Sequence, residues 1–250
     1  MQQLKLRSGN QNLVLEADNN LLAALRISIV RPFRLLATQP IVQVIALYMA
    51  YIFGLFYLLI ASFPRVWIGQ YGQSTSIAGL NYLSLGIGYI IGALSNARIS
   101  DRILARLTQK NNGKPKPEFR IPTMFVGSVL MPVGLFWYGF SANAKAHWIV
   151  PNLGMVVFSA GSVLCIEAMQ TYIFDSYRRF AASALAAAII ARSIAGFAVP
   201  LASPALYDDL GIGWGTAVLA FIGIGIGIPA PFIFWFFGER LRKMSQYAAG

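Results

Sequence analysis

Six uninterrupted apolar runs, each close to twenty residues or longer, constrain this chain more than any other feature. They fall at 41–63, 76–94, 121–140, 148–174, 181–206 and 216–237. Crossing ~30 Å of hydrocarbon takes about 20 helical residues at 1.5 Å each. In a bilayer every backbone polar group must be satisfied within the segment, so such runs become helices. The charge content agrees. Only 12% of residues are charged and 57% are hydrophobic, whereas a soluble domain carries about 25% charged residues. A disordered chain, a secreted disulfide scaffold and most soluble enzymes are thereby excluded. The expectation is an all-α membrane protein, a six-transmembrane-helix bundle over 39–237. A cytoplasmic lead with an amphipathic segment (1–38) precedes it, and a cytoplasmic tail (238–250) follows.

The net charge of +11 resembles that of a nucleic-acid binder until its distribution is read. Outside the apolar runs, every Lys and Arg except Arg65 and Lys145 falls on one side of a six-span topology. The positive-inside rule then places both termini in the cytoplasm. Topology and some attraction to anionic lipid account for the charge, and no nucleic-acid partner is expected. The polar residues 1–22 and the late first apolar run do not read as a cleaved signal peptide. Residues 21–37 alternate apolar positions with Arg26, Arg31 and Arg34. They read either as an amphipathic segment along the inner membrane face, broken at Pro32, or as a linker.

Small residues mark helix contacts. Gly88 and Gly92 form a small-xxx-small face, and Gly223 and Gly227 repeat that spacing. The glycine-rich stretch 223–229 is apolar and lies inside a span. No strand or acidic ribose ligand accompanies it, so it is not a dinucleotide loop. Cys165 is the single cysteine and His147 the single histidine, so neither a disulfide nor a multi-histidine metal site is available within the chain. There is no HExxH, no GxSxG and no paired intramembrane carboxylate, and an enzyme is not expected.

Several short motifs, in order along the chain, carry a resemblance. Arg31-Pro32-Phe33 and Gln39-Pro40-Ile41 lead into the first run, and Gly79-Leu80-Asn81-Tyr82-Leu83 opens the second. Pro117-Glu118-Phe119-Arg120-Ile121-Pro122 precedes the third, and His147-Trp148-Ile149-Val150-Pro151 opens the fourth. Tyr172-Ile173-Phe174-Asp175-Ser176-Tyr177 closes the fourth. Arg192-Ser193, Pro200-Leu201 and Gly213-Trp214 follow. Together these resemble the C-terminal half of a major facilitator superfamily transporter, closest to the fungal drug:proton antiporter branch. The resemblance implies the C-terminal half of that fold. It also implies proton-driven secondary export of small hydrophobic or toxic compounds by alternating access, with the proton gradient as energy source and no cofactor. The expected partners are the bilayer, a small hydrophobic or cationic substrate, and either the N-terminal six-helix half or a second copy. The plasma membrane is the expected location. A truncated, non-transporting fragment, or an interaction subunit of a full-length transporter, is the alternative.

Charges inside spans are costly and point to function. Only two lie deep. Glu167 is eight residues before Asp175, ~12 Å in, and Arg192 is eleven after Ala181, ~16 Å in. They are expected to sit near each other, paired or facing one cavity, or else to find separate polar partners. Glu167 is the proton-coupling candidate, or half of a fixed ion pair. The resemblance implies a cavity lined by Gln43, Tyr48, Tyr51, Asn81, Glu167, Gln170 and Arg192. It also implies a cytoplasmic gate at Asp101, Arg102, Asp175 and Arg178, whose other reading is solvated helix ends.

Overall fold

The computed structural model describes residues 29–245. The lead 1–22 and the first part of the 21–37 segment lie outside the described residues. Residues 29–38 are helical with Pro32 among them, so the break expected at Pro32 is not there. The chain bends at Gln39 instead (φ −110°, ψ 107°). The reason is Pro40, whose ring pushes the preceding residue out of the helical region.

Five helical stretches are long and apolar enough to cross a membrane. The first is Pro40–Pro64, prolonged by a π-helical turn, Arg65–Gln70. The second combines a short helix, Thr75–Leu80, with Leu83–Lys110, joined by a tightened turn at Asn81 and Tyr82 whose backbone stays near-helical. It outruns the apolar run that ends at residue 94, because beyond that point the helix is amphipathic and continues on the strength of its packed face. The third is Pro122–Asn143 and the fourth Ile149–Ser176.

The fifth and sixth runs fall within one near-continuous helical stretch, Ala181–Lys243, of 63 residues. Straight, it would measure roughly 95 Å, three times the hydrocarbon thickness. It is divided at Gly211, which has φ 70° and ψ 177°. A side chain added at Gly215 would lie 3.4 Å from the Leu206 carbonyl oxygen, and the Tyr207 and Thr216 hydroxyl oxygens are 3.4 Å apart. Nine residues of straight helix would hold the backbones of Leu206 and Gly215 about 13 Å apart, so the chain doubles back at Gly211. The fifth span is thus Ala181–Ala198 with the residues leading to Gly211, and the sixth runs from there through Pro229–Lys243. Gly211 occupies a backbone region reserved for glycine. Gly211→Ala is expected to destabilise the protein by about 1–3 kcal/mol through strain alone, since nothing lies within 4 Å of the added methyl. A thermal melt in detergent reads it, and an unchanged melting temperature would refute it.

The fourth span is the hub. Small residues let its backbone touch both neighbours: a Cβ at Gly88 would meet the Val156 carbonyl oxygen at 2.4 Å, and one at Gly134 would meet the Phe158 nitrogen at 2.4 Å. Gly92 makes the same approach at the Ala160 oxygen. The fifth span packs on the first, with Gly54 against Val199 and Gly196 against Tyr57. The second span is the least covered, with 33% of its most apolar window buried against 61% in the fourth. Ile87, Tyr89, Ile90, Ile91 and Leu94 point away from the bundle.

Candidate functional site

Polar chemistry gathers at three levels: the end rich in basic residues, the middle of the bundle, and the opposite end.

At the basic end, the 3₁₀ turn Pro117–Arg120 between the second and third spans is the fastener. Arg120 donates from Nε to Asp175 Oδ2 (3.1 Å) and from Nη1 to Asp101 Oδ1 (2.9 Å) and Ser100 Oγ (3.3 Å). One guanidinium thereby ties the end of the second span to the end of the fourth. Burial pushes Arg120 down, but the hydrogen bonds and charges of Asp101 and Asp175 outweigh it and raise its pKa, so it stays a cation. Glu118, 6% exposed, receives Arg242 Nη2 on both carboxylate oxygens (3.2 and 3.4 Å) and the Tyr172 hydroxyl at 3.4 Å. Lys116 reaches Glu239 at 3.0 Å. The second, fourth and sixth spans are therefore held by five consecutive residues of one connection. Arg31 lies over the Phe180 ring, 5.2 Å from its centroid, and brings the 29–38 helix to the same end.

Of the residues expected to form the gate, Asp101 and Asp175 are joined, through Arg120 rather than to each other's neighbours. Arg102 and Arg178 are exposed, and among the described residues neither forms an ion pair. Sequence reasoning places Arg120 and Glu118 in a motif without giving them a role. An arginine and a glutamate in a connection framed by three prolines, Pro115, Pro117 and Pro122, are the signal that could have found them.

In the middle, Glu167 and Arg192 do not pair. Glu167 Oε2 accepts from Asn96 Nδ2 of the second span at 2.7 Å. Arg192 lies over the Phe53 ring of the first span, 4.3 Å from its centroid, a cation–π contact. The cause is packing: the fifth span rests on the first, so equal depth on consecutive helices does not bring these side chains together. Asn96 was missed, although its position was readable. Ser84, Gly88, Gly92, Asn96 and Ser100 recur at four-residue spacing, and all are buried on the face toward the fourth span.

Of the other expected lining residues, Gln43 is exposed and donates to the Ala37 carbonyl at 2.9 Å. Tyr48 is 3% exposed, with its hydroxyl beside the Cys165 thiol. The Tyr51 hydroxyl is buried against Gly223 and Gly227 of the sixth span. These two tyrosines, with ring centroids 6.0 Å apart, fill the bundle interior in this conformation. Gln170 is half-buried on the fourth span, one turn beyond Glu167.

At the opposite end, Asn81 is buried at the tightened turn of the second span. It donates Nδ2 to Gln73 Oε1 at 2.7 Å and accepts Asn152 Nδ2 on its own Oδ1 at 2.6 Å. This amide relay lines an open groove of about 620 Å³ between the second and fourth spans, walled mostly by exposed apolar residues. Arg65 and Asp208 form an ion pair at this end, joining the first span to the fifth.

Comparison with known proteins bears on this arrangement. Residues 7–200 match the family described as Major Facilitator Superfamily. The chain is 49% identical over 248 residues to the efflux pump vrtL of Penicillium aethiopicum, covering 99% of this chain and 49% of that protein. It is 40% identical over 250 residues to the efflux pump radE of Floropilus chiversii (98% and 46%). It is 39% identical over 246 residues to the MFS-type transporter penM of Penicillium rubens (98% and 48%). The chain spans about half the length of the curated relatives it matches. No solved structure matches it.

Proposed function

Since the chain belongs to the major facilitator superfamily, we propose that it supplies six spans of a proton-coupled secondary exporter of small hydrophobic or toxic compounds. It is an integral, multi-pass membrane protein of a transporter family. Export is suggested by relatives named as efflux pumps. In this reading the basic end is cytoplasmic, with both termini there, the protein sits in the plasma membrane, and no cofactor or nucleic acid takes part. A further six-helix half, or a second copy, covers the sparsely packed second span.

The observation that carries proton coupling is the Asn96–Glu167 hydrogen bond. As a carboxylate, Glu167 accepts from the Asn96 amide. Once protonated on its other oxygen, it offers Asn96 only a neutral carbonyl, a weaker acceptor than the carboxylate; protonated on Oε2, it presents a donor that Asn96 can meet only with its own carbonyl. Gain or loss of one proton therefore alters a contact between the second and fourth spans, which alternating access requires to change. The gate proposed at Asp101 and Asp175 opens by releasing Arg120, with Arg102 and Arg178 as solvated charges beside it. The cavity residues Gln43, Tyr48, Tyr51, Asn81, Gln170 and Arg192 reach substrate in a conformation where the tyrosines swing out of the interior.

The test joins this chain to the upstream half in a pump-deficient yeast and measures efflux of a fluorescent hydrophobic compound with and without a protonophore. The joined form should lower retention, the protonophore should abolish the effect, and Glu167→Gln should slow the protonophore-sensitive efflux about tenfold or more. Unchanged pH-dependent efflux in Glu167→Gln would end the coupling proposal. The half-length match favours one second reading, a non-transporting fragment or interaction subunit. Surface-expressed but inactive joined protein would support it.

A further inference from the structure

Of the two deep charges, Glu167 has the Asn96 amide, while Arg192 has only an aromatic ring. Among the described residues no carboxylate lies within ion-pair distance of Arg192, and no oxygen accepts from it. The contact with Phe53 draws on the charge of the guanidinium and leaves its N–H donors unbonded. Arg192 is half-buried, and its nitrogens keep accessible surface. Phe53 lies ~20 Å into the first span and Arg192 ~16 Å into the fifth, so the guanidinium is held near the middle of the bundle. Lipid phosphates stand roughly 15 Å or more from the midplane, beyond its reach. An unpaired cation at that depth is costly, and an anion that reaches it is favoured.

The seam around Arg192 is aromatic. The first and fifth spans run side by side: Arg192 meets Phe53, and one turn further along both helices Gly196 meets Tyr57. A Cβ at Gly196 would lie 3.0 Å from the Tyr57 ring, so the missing side chain admits that ring to the seam. Tyr57 is 45% exposed, and its ring centroid is 6.2 Å from those of Phe53 and Phe56. Its hydroxyl has no partner among the described residues and stands as a second donor. A carboxylate matches the fork of a guanidinium, and a planar apolar body matches the rings. A cation entering the seam meets like charge, and a neutral molecule leaves the arginine uncompensated.

We propose that the seam of the first and fifth spans is a binding site for aromatic organic acids in their anionic form, with Arg192 taking the carboxylate and Phe53 and Tyr57 taking the body. The proposal rests on the transporter reading, in which Arg192 lines the cavity and the anion is the cargo. It narrows that reading from hydrophobic or cationic compounds to acidic ones.

The test uses the 250-residue chain, and separately the chain joined to the upstream half, in phosphatidylcholine nanodiscs. Tritiated 1-naphthoate is followed by scintillation proximity. Two competitors share its rings: 1-naphthamide, which is neutral, and 1-naphthylmethylammonium, which is a cation. The expected result is saturable 1-naphthoate binding by both forms, with both competitors about tenfold weaker than unlabelled 1-naphthoate. Arg192→Gln should weaken 1-naphthoate about tenfold. Arg192→Glu should lose it and instead bind tritiated 1-naphthylmethylammonium saturably, a gain that a misfolded protein cannot produce. Non-saturable partitioning alone, equal competition by the amide, or an unchanged preference in Arg192→Glu would each overturn the proposal. Binding by the chain that vanishes in the joined form would overturn it too, since a carboxylate of the upstream half then holds Arg192 in place of cargo. Efflux by the joined form in cells is scored separately. Efflux without this binding removes the anion site and keeps the transporter, whereas binding without efflux does the reverse.

Discussion

Gly134→Leu is expected to abolish recovery of monodisperse protein from the membrane. A Cβ at residue 134 would lie 2.4 Å from the Phe158 nitrogen and 2.7 Å from the Gly154 carbonyl oxygen. Both are backbone atoms of a helix that cannot step aside without carrying the rest of the fourth span with it. The fourth span also receives Gly88 and Gly92 from the other side, so moving it away from the third span drives it into the second. In lipid there is no hydrophobic gain to hold helices together once close packing is lost. Even Gly134→Ala should cost about 3 kcal/mol, the upper part of the range for overpacking. Gly86→Ala supplies the contrast: it lies in the second span with nothing within 4 Å of the added methyl. There the higher helix propensity of alanine should stabilise by up to about 1 kcal/mol. Fluorescence-detected gel filtration after stepwise heating measures all three. Melting temperatures that fall equally for Gly86→Ala and Gly134→Ala would refute the packing argument.

The parts of the fold that depend on one helix at a time were legible in the sequence. Apolar length set the number of runs, and the small-residue spacing at Gly88 and Gly92 marked a real backbone contact. What depended on continuity was less so. The junction of the fifth and sixth runs contains no long polar loop, because one glycine in a region closed to other residues turns the chain between two helices. The length of the second helix was also hidden, since polarity on one face ends an apolar run without ending a helix. The same distinction governs the site. Depth along a helix is a property of sequence, and it located Glu167 and Arg192 as the deep charges. Partnership is a property of packing. The fifth span lies on the first, so Arg192 meets Phe53, and the second lies on the fourth, so Glu167 meets Asn96. The four-residue stripe that ends in Asn96 and Ser100 carried this information. It could have been read by extending the glycine face two more turns.

Arg242→Leu is expected to destabilise the protein by about 3 kcal/mol and to loosen the sixth span from the basic end. The argument turns on Glu118 rather than on the arginine. The Glu118 side chain is 7% exposed and that of Arg242 10%, which makes theirs the most enclosed ion pair among the described residues. Both carboxylate oxygens of Glu118 face the Arg242 guanidinium, and among the described residues only the Tyr172 hydroxyl remains on that carboxylate when the guanidinium is gone. Removing one partner of an enclosed pair costs about 3–5 kcal/mol because the other charge stays behind. The low end applies here, since the Tyr172 hydroxyl softens the loss. This reasoning predicts non-additivity. Glu118→Gln in the Arg242→Leu background removes the stranded charge and should recover most of the lost stability, although each change alone is harmful. A pair acting only through its own attraction would give a double variant no more stable than Arg242→Leu. Thermal melts of the four proteins decide between these outcomes. Recovery would show that the turn Pro117–Arg120 grips the sixth span by charge neutrality within an enclosed site. Arg120, bound to the more exposed Asp101 and Asp175, then remains as the fastening that water and a change of conformation can undo.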